Sequence, residues 1–182
     1  AVSRIESIVG TDSTTTNDVV RMIGAGTTSV SAIESVIGSS GTDTVAMLAG
    51  GSLGVSLVET VAGTADTDVV SLLGAGSTAV SQVETMLGST GSDTVSILGG
   101  GELAVSRIET VLGSASVDSV TALSTGTIAV SNVDTVVGSD STTSNDVLRM
   151  LGAGSTSISA IESVPGNSGT DTITMLAGGS LA

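Results

Sequence analysis

The sequence predicts an all-β fold, a β-solenoid (β-roll or β-helix) of seven stacked turns, each built from one copy of a unit of about 25 residues. Three observations predict it. The unit recurs along the whole chain, its best-kept segments read as short strands, and glycine returns at fixed phases between them.

Aligned on Val-Ser or Ile-Ser, the copies begin at Val2, Val30, Val55, Val80, Val105, Val130 and Ile158. The spacing is constant except in the first and last intervals, which are slightly longer. Both longer units carry the same insertion, within Thr11–Asp18 and Ser139–Asp146. Coils are expected near 1-28, 29-53, 54-78, 79-103, 104-128, 129-156 and 157-182, forming one continuous array. Ala1 to Leu53 also matches Ala129 to Leu181, an offset of one long unit and four short ones. No unit at either end departs from the pattern as a cap, and solenoids shield their terminal cores with caps. The array is therefore expected to be a window on a longer chain, or a piece that stacks end to end.

The segments I-E-T-V (Ile108–Val111) and D-T-V-x-x-L (Asp93–Leu98) are rich in β-branched residues, and Val95 and Ile97 alternate with Ser96. Glycines such as Gly88 and Gly101 hold the same two phases in every unit and mark corners, where the backbone needs φ > 0 or close approach. A strand–helix solenoid is the rival, because V-S-x-I-E-T-V sets apolar residues three apart. Ser, Thr and Val are weak helix formers, which favours the all-β reading.

The chain has no Phe, Tyr, Trp, His or Cys. Without aromatic rings the interior is expected to be thin and filled by Val, Ile, Leu, Met and Ala. Met22, Met47, Met86, Met150 and Met175 mostly share one phase with Leu72 and Ile97, which assigns them to the core. Seven turns at ~4.8 Å would make a rod on the order of 35 Å long.

The formal net charge is −14. It argues against nucleic acid, whose phosphates need basic patches, and against anionic membranes. No apolar run is long enough to insert in a membrane, and no basic segment followed by an apolar one opens the chain. Catalysis finds little support. Acid–base chemistry would fall to carboxylates alone, and acids that recur in every unit maintain architecture more readily than they build one site, so the chain is not expected to be an enzyme.

Those acids form two series. One is Glu6, Glu34, Glu59, Glu84, Glu109, Asp134 and Glu162; the other is Asp18, Asp43, Asp68, Asp93, Asp118, Asp146 and Asp171. If each coil held one unit, equivalent carboxylates would stack about 5 Å apart, repelling by roughly 1 kcal/mol in water and more inside protein. Corner N–H groups can offset this, as Asp in turns often arranges, and so can bound cations; both remain open. The Glu series reads as a solvated outer face. A further series, Ser7, Ser35, Thr60, Thr85, Thr110, Thr135 and Ser163, reads as hydroxyls bonding along a ladder.

The segments Gly38–Val45 (GSSGTDTV), Gly88–Val95 (GSTGSDTV) and Gly166–Ile173 (GNSGTDTI) resemble the G-G-x-G-x-D-x-U repeat of bacterial RTX calcium-binding proteins. The second motif glycine is Ser or Asn here, and Gly63–Val70 and Gly113–Val120 lack the later one. The preceding I-E-T-V-x-G segments are similar to those of large secreted bacterial adhesins and surface proteins. The resemblance implies calcium on the Asp series and an extracellular or cell-surface setting. It points to a structural role as a fibre, surface layer, matrix component or adhesin stalk, self-associating end to end or laterally, with surface glycans as further partners. The alternative is a flat solenoid face that binds ice or carbohydrate.

Overall fold

The computed structural model describes residues 1–2, 5–11, 17–139, 144–176 and 181. Most of both insertions (12–16 and 140–143) lies outside them. Among the described residues the regular structure is all strand. Each of the first six units supplies three strands: a short strand (Thr85–Leu87), an Asp strand (Asp93–Ile97) and a Gly strand (Gly101–Ser106) in the fourth unit. Corners at 88–92, 98–100 and 107–109 separate them.

Strands pair in parallel with strands two places away in sequence, except that the last, Asp171–Met175, pairs with the one before it, Gly154–Ser159. Asp93–Ile97 lies between Gly76–Ser81 and Thr110–Leu112, for example. Among the described residues two parallel sheets result, of nine and ten strands. A coil therefore holds two strands, and groups bonded from one coil to the next, such as Asp43 with Glu59 or Gly26, come from positions 16 or 17 apart. The expectation of seven turns, one unit to each, is corrected. A unit makes one and a half coils, and the nineteen strands wind about nine turns into a rod on the order of 40 Å long. The physical reason lies in the corners. The three-residue connections send the chain to the opposite sheet as fully as the five-residue one does, so no strand is left over to make a third side.

Because three strands fill a two-strand coil, successive units place the same strand on opposite sheets. Asp43–Met47 and Asp93–Ile97 belong to the nine-stranded sheet, Asp68–Leu72 to the ten-stranded one. Equivalent strands in one sheet are three rungs, or roughly 14 Å, apart. The core between the sheets is one cluster of Val, Ile, Leu and Met. In the Asp strand Val95 and Ile97 are buried while Thr94 and Ser96 face out, as the alternation predicts. Thr78, Val95, Val111 and Val130 follow one another up a single inward column. Met22, Met47, Met86 and Met150 are buried; Met175, on the last strand, is half exposed.

Glycine serves close approach rather than freedom at the first corner. A Cβ on Gly88 would run into the backbone carbonyl of Arg107 on the next coil. Arg107 itself adopts the left-handed conformation, with φ 55°, and Leu57, Gln82 and Asn132 do the same at the equivalent place. A non-glycine residue pays about 1–2 kcal/mol for this, and the packing of its carbonyl over a bare glycine holds it there.

A second packing rule ties neighbouring units. A Cβ on Gly41 or Gly91 would lie 2.5 Å from the Cβ of Ala25 or Ala75 in the preceding coil. Where the corner carries a side chain instead, at Asp66 and Ser116, the facing residue is Gly50 or Gly100. Each contact has room for one methylene, so Ala meets Gly and Gly meets a side chain. Near the C-terminus Pro165 stands where other units have Ile37, Leu87 or Leu112. Lacking an N–H for the ladder, it leaves that strand as the single bridge Val147–Ser163.

Gly91→Ala should lower stability by about 1–3 kcal/mol through overpacking, read as a lower midpoint in chemical denaturation. Adding Ala75→Gly should recover most of that loss, because it recreates the pairing of Ser116 with Gly100.

Candidate functional site

The corner before each Asp strand gathers the charged residues. In the fourth unit the buried Asp93 carboxylate accepts hydrogen bonds from the Ser89 amide (2.6 Å) and hydroxyl (2.9 Å) through Oδ2. Its Oδ1 accepts the Gly76 amide of the preceding coil at 3.1 Å. The Gly91 amide donates to Ser89 Oγ at 3.1 Å and closes the turn. From the following coil, Glu109 Oε2 accepts the Asp93 amide at 2.7 Å, and the Glu109 amide returns a bond to the Asp93 carbonyl at 3.2 Å. One carboxylate and one neighbouring glutamate thus bind together the backbones of three successive coils.

The arrangement recurs. Asp43 joins Gly26, Ser39 and Glu59; Asp68 joins Gly51, Thr64 and Glu84. Both longer corners keep it. Asp146 accepts the Ser139 and Gly126 amides and gives its own to Glu162, and Asp18 accepts from Thr11 and donates to Glu34. Asp171 accepts from both nitrogens of Asn167. Asp118 departs from the rule. The Gly101 amide turns to the Val117 carbonyl at 2.9 Å, leaving Asp118 Oδ1 buried with no partner, and Asp134 replaces the glutamate above.

The expected stacking of like carboxylates about 5 Å apart is not what the fold builds. The members of each series alternate between sheets, and those on one sheet are separated by roughly 14 Å, beyond the ~8 Å over which physiological salt screens charge. What does adjoin is an Asp and a Glu from neighbouring coils, and an Asp amide hydrogen lies between them. The Glu series is therefore more than a solvated face, since each described glutamate acceptor binds the amide of an Asp. The Ser/Thr series is not a continuous ladder either. Thr60 and Thr110 each lie beside an Asp-strand threonine, Thr44 and Thr94, while Thr85 lies beside Val69. The residue that sequence reasoning missed is the hydroxyl partner of the Asp. Its signal was present, for Ser or Thr follows the corner glycine in six of the seven units and Asn in the seventh.

The RTX resemblance implies calcium on the Asp series. Calcium takes six to eight oxygen ligands. Here the groups turned toward the Asp93 carboxylate are two amides and a hydroxyl, and among the described residues no three Asp or Glu side chains converge on a point. These surroundings fit a carboxylate that caps a turn and do not fit the ion. Grooves also recur beside the corners. One of about 650 Å³ is lined by Asn132 and Asp134, and one of about 280 Å³ by Gln82 and Glu84, with backbone glycines closing each.

Asp93→Ala should cost about 3 kcal/mol, because it strands amides of two coils that had a charged acceptor; Asp93→Asn, which keeps one acceptor oxygen, should cost roughly half as much. Equilibrium denaturation reads both. The Thr11 amide and hydroxyl hold the Asp18 carboxyl below the usual carboxylate range. Its contribution to stability is therefore complete above the unfolded value of about 3.9 and fades as pH falls through the lower folded value. An NMR titration of the Thr11 amide should show a midpoint below about 3.9. No family model, no curated protein and no solved structure matches the chain.

Proposed function

We propose that the chain is a structural β-solenoid segment, a stiff rod that serves as a fibre, surface-layer, matrix or adhesin-stalk element outside a bacterial cell. The observation that carries this reading is the recurrence of one backbone-binding corner in unit after unit. The chemically distinctive residues are spent on joining coils, and the same set returns at each corner instead of gathering in a unique cleft. Such an array has the mechanical logic of a spacer: each coil is held to the next by a parallel ladder and by a buried carboxylate. The extracellular setting rests on the likeness of the corners to RTX and adhesin repeats.

Calcium-conditional folding is the form of this function that the resemblance suggests. The amide-filled surroundings of the Asp carboxylates favour instead a rod that closes without metal. Binding of ice or carbohydrate is the second reading, favoured by the row Thr27, Thr44 and Thr60 on the outside of the nine-stranded sheet.

Far-UV circular dichroism through a calcium titration, with EDTA reversal and a magnesium control, separates the two forms of the rod. The β-signal should be complete in EDTA and unchanged by calcium. A β-signal that appears only with calcium would overturn the metal-free form and restore the Asp series as ligands.

A further inference from the structure

The two outer faces of the rod differ, and one ridge on each is more apolar than the fold requires. The residue after the Asp strand is a large apolar one in all seven units, Leu in six and Ile in one. Leu98 follows inward-facing Ile97 and is 56% exposed. Leu48 and Leu151 stand beside the same nine-stranded sheet, also exposed. Core packing does not hold these side chains, yet every unit keeps one. Along the sheet edge they recur every three rungs, roughly 14 Å.

Beside that ridge, the outward positions of the nine-stranded sheet from Gly26–Ser31 through Thr127–Ser131 carry no charge. Leu112 is their one side chain larger than threonine. Thr27, Thr44 and Thr60 stand side by side on three rungs, and Ser77, Thr94 and Thr110 on the next three. The ten-stranded sheet is less even, with Glu102 outward at its middle and Ile37, Val69 and Leu87 projecting.

We propose that the outer face of the nine-stranded sheet, with its Leu48, Leu98 and Leu151 ridge, is a lateral docking surface for a second copy of this chain. The proposal rests on the structural reading above and names the contact it would use. Two arguments select the occupant. A partner that touches every ridge leucine at once needs the same axial repeat, which a second copy has by construction of its sequence. In a chain of net charge −14, this face is where two copies approach with least like-charge repulsion. Its size also suffices. The seven uncharged strands, of about five residues each, span roughly 550 Å² per copy, or about 1,100 Å² for the pair, above the ~1,000 Å² that a specific interface needs.

Sedimentation velocity over a concentration series tests it, with circular dichroism on each sample. Wild type should form a dimer, and Leu48→Ser/Leu98→Ser should weaken it at least tenfold, about 1.4 kcal/mol. Leu73→Ser/Leu123→Ser, on the ridge of the other sheet, should leave it unchanged, and Thr44→Glu/Thr94→Glu should abolish it where Ser119→Glu/Thr121→Glu, of equal added charge, does not. A wild type that stays monomeric at every concentration overturns the proposal, as do two leucine pairs with equal effects. A monomer that shows thermal hysteresis or retention on a glycan matrix overturns it too and gives the face to ice or carbohydrate. Loss of β-signal in wild type would instead remove the structural reading itself.

Discussion

Three strands in a unit and two strands in a coil are numbers that do not divide, and most features of this molecule follow from that mismatch. Each regular unit ends half a turn from where it began, so a given side chain appears on one sheet, then on the other. Equivalent positions never occupy adjacent rungs. A parallel stack with one unit per coil would place like beside like at every level, which suits apolar ladders and punishes charged ones. Here the rungs of each sheet cycle through short, Gly and Asp strands, and the charged positions are diluted threefold along the axis.

That dilution makes the composition tolerable. A chain with 18 acids and 4 arginines cannot neutralise its carboxylates by ion pairing. It turns them instead into acceptors for backbone amides. Asp93 sits fully inside the corner because three donors replace its water. The same bonds settle the direction of stacking. Gly76 below and Glu109 above reach the same residue from opposite coils, so the acid that would have driven coils apart becomes the point where they are joined.

The repeat, the all-β class, the strand alternation and the Asp corner were legible in the sequence because each depends on neighbours within a few residues. Val95 and Ile97 declare their strand by spacing, and Asp93 declares its turn by the glycines around it. The coil length was not legible. It depends on how far each connection swings the chain, and 98–100 and 107–109 offer no residue pattern that distinguishes a full reversal from a shallow bend. The site was half legible for the same reason. The local partner of Asp93, Ser89, lies four residues away, whereas Gly76 and Glu109 lie 17 and 16 away and meet it only once the coil length is known. Expected as a solvated face, the glutamates proved to be part of the corner.

The longer repeat, which carries Ala1 to Ala129, spans five units, and five is odd. Its second copy must therefore begin on the opposite sheet. Thr27 and Thr44 look out from the nine-stranded sheet, while their counterparts Ser155 and Thr172 look out from the ten-stranded one. Arg21 and Arg149 exchange sides in the other sense. Ala/Gly alternation meets the same difficulty, because a rule of period two cannot run unbroken through a cycle of five. It breaks at Thr125, where both Ala and Gly are absent, and the corner of the following coil is the one lengthened by the insertion within Ser139–Asp146. Within this chain, the outward threonines of the first copy therefore face one side of the rod and their counterparts in the second copy the other.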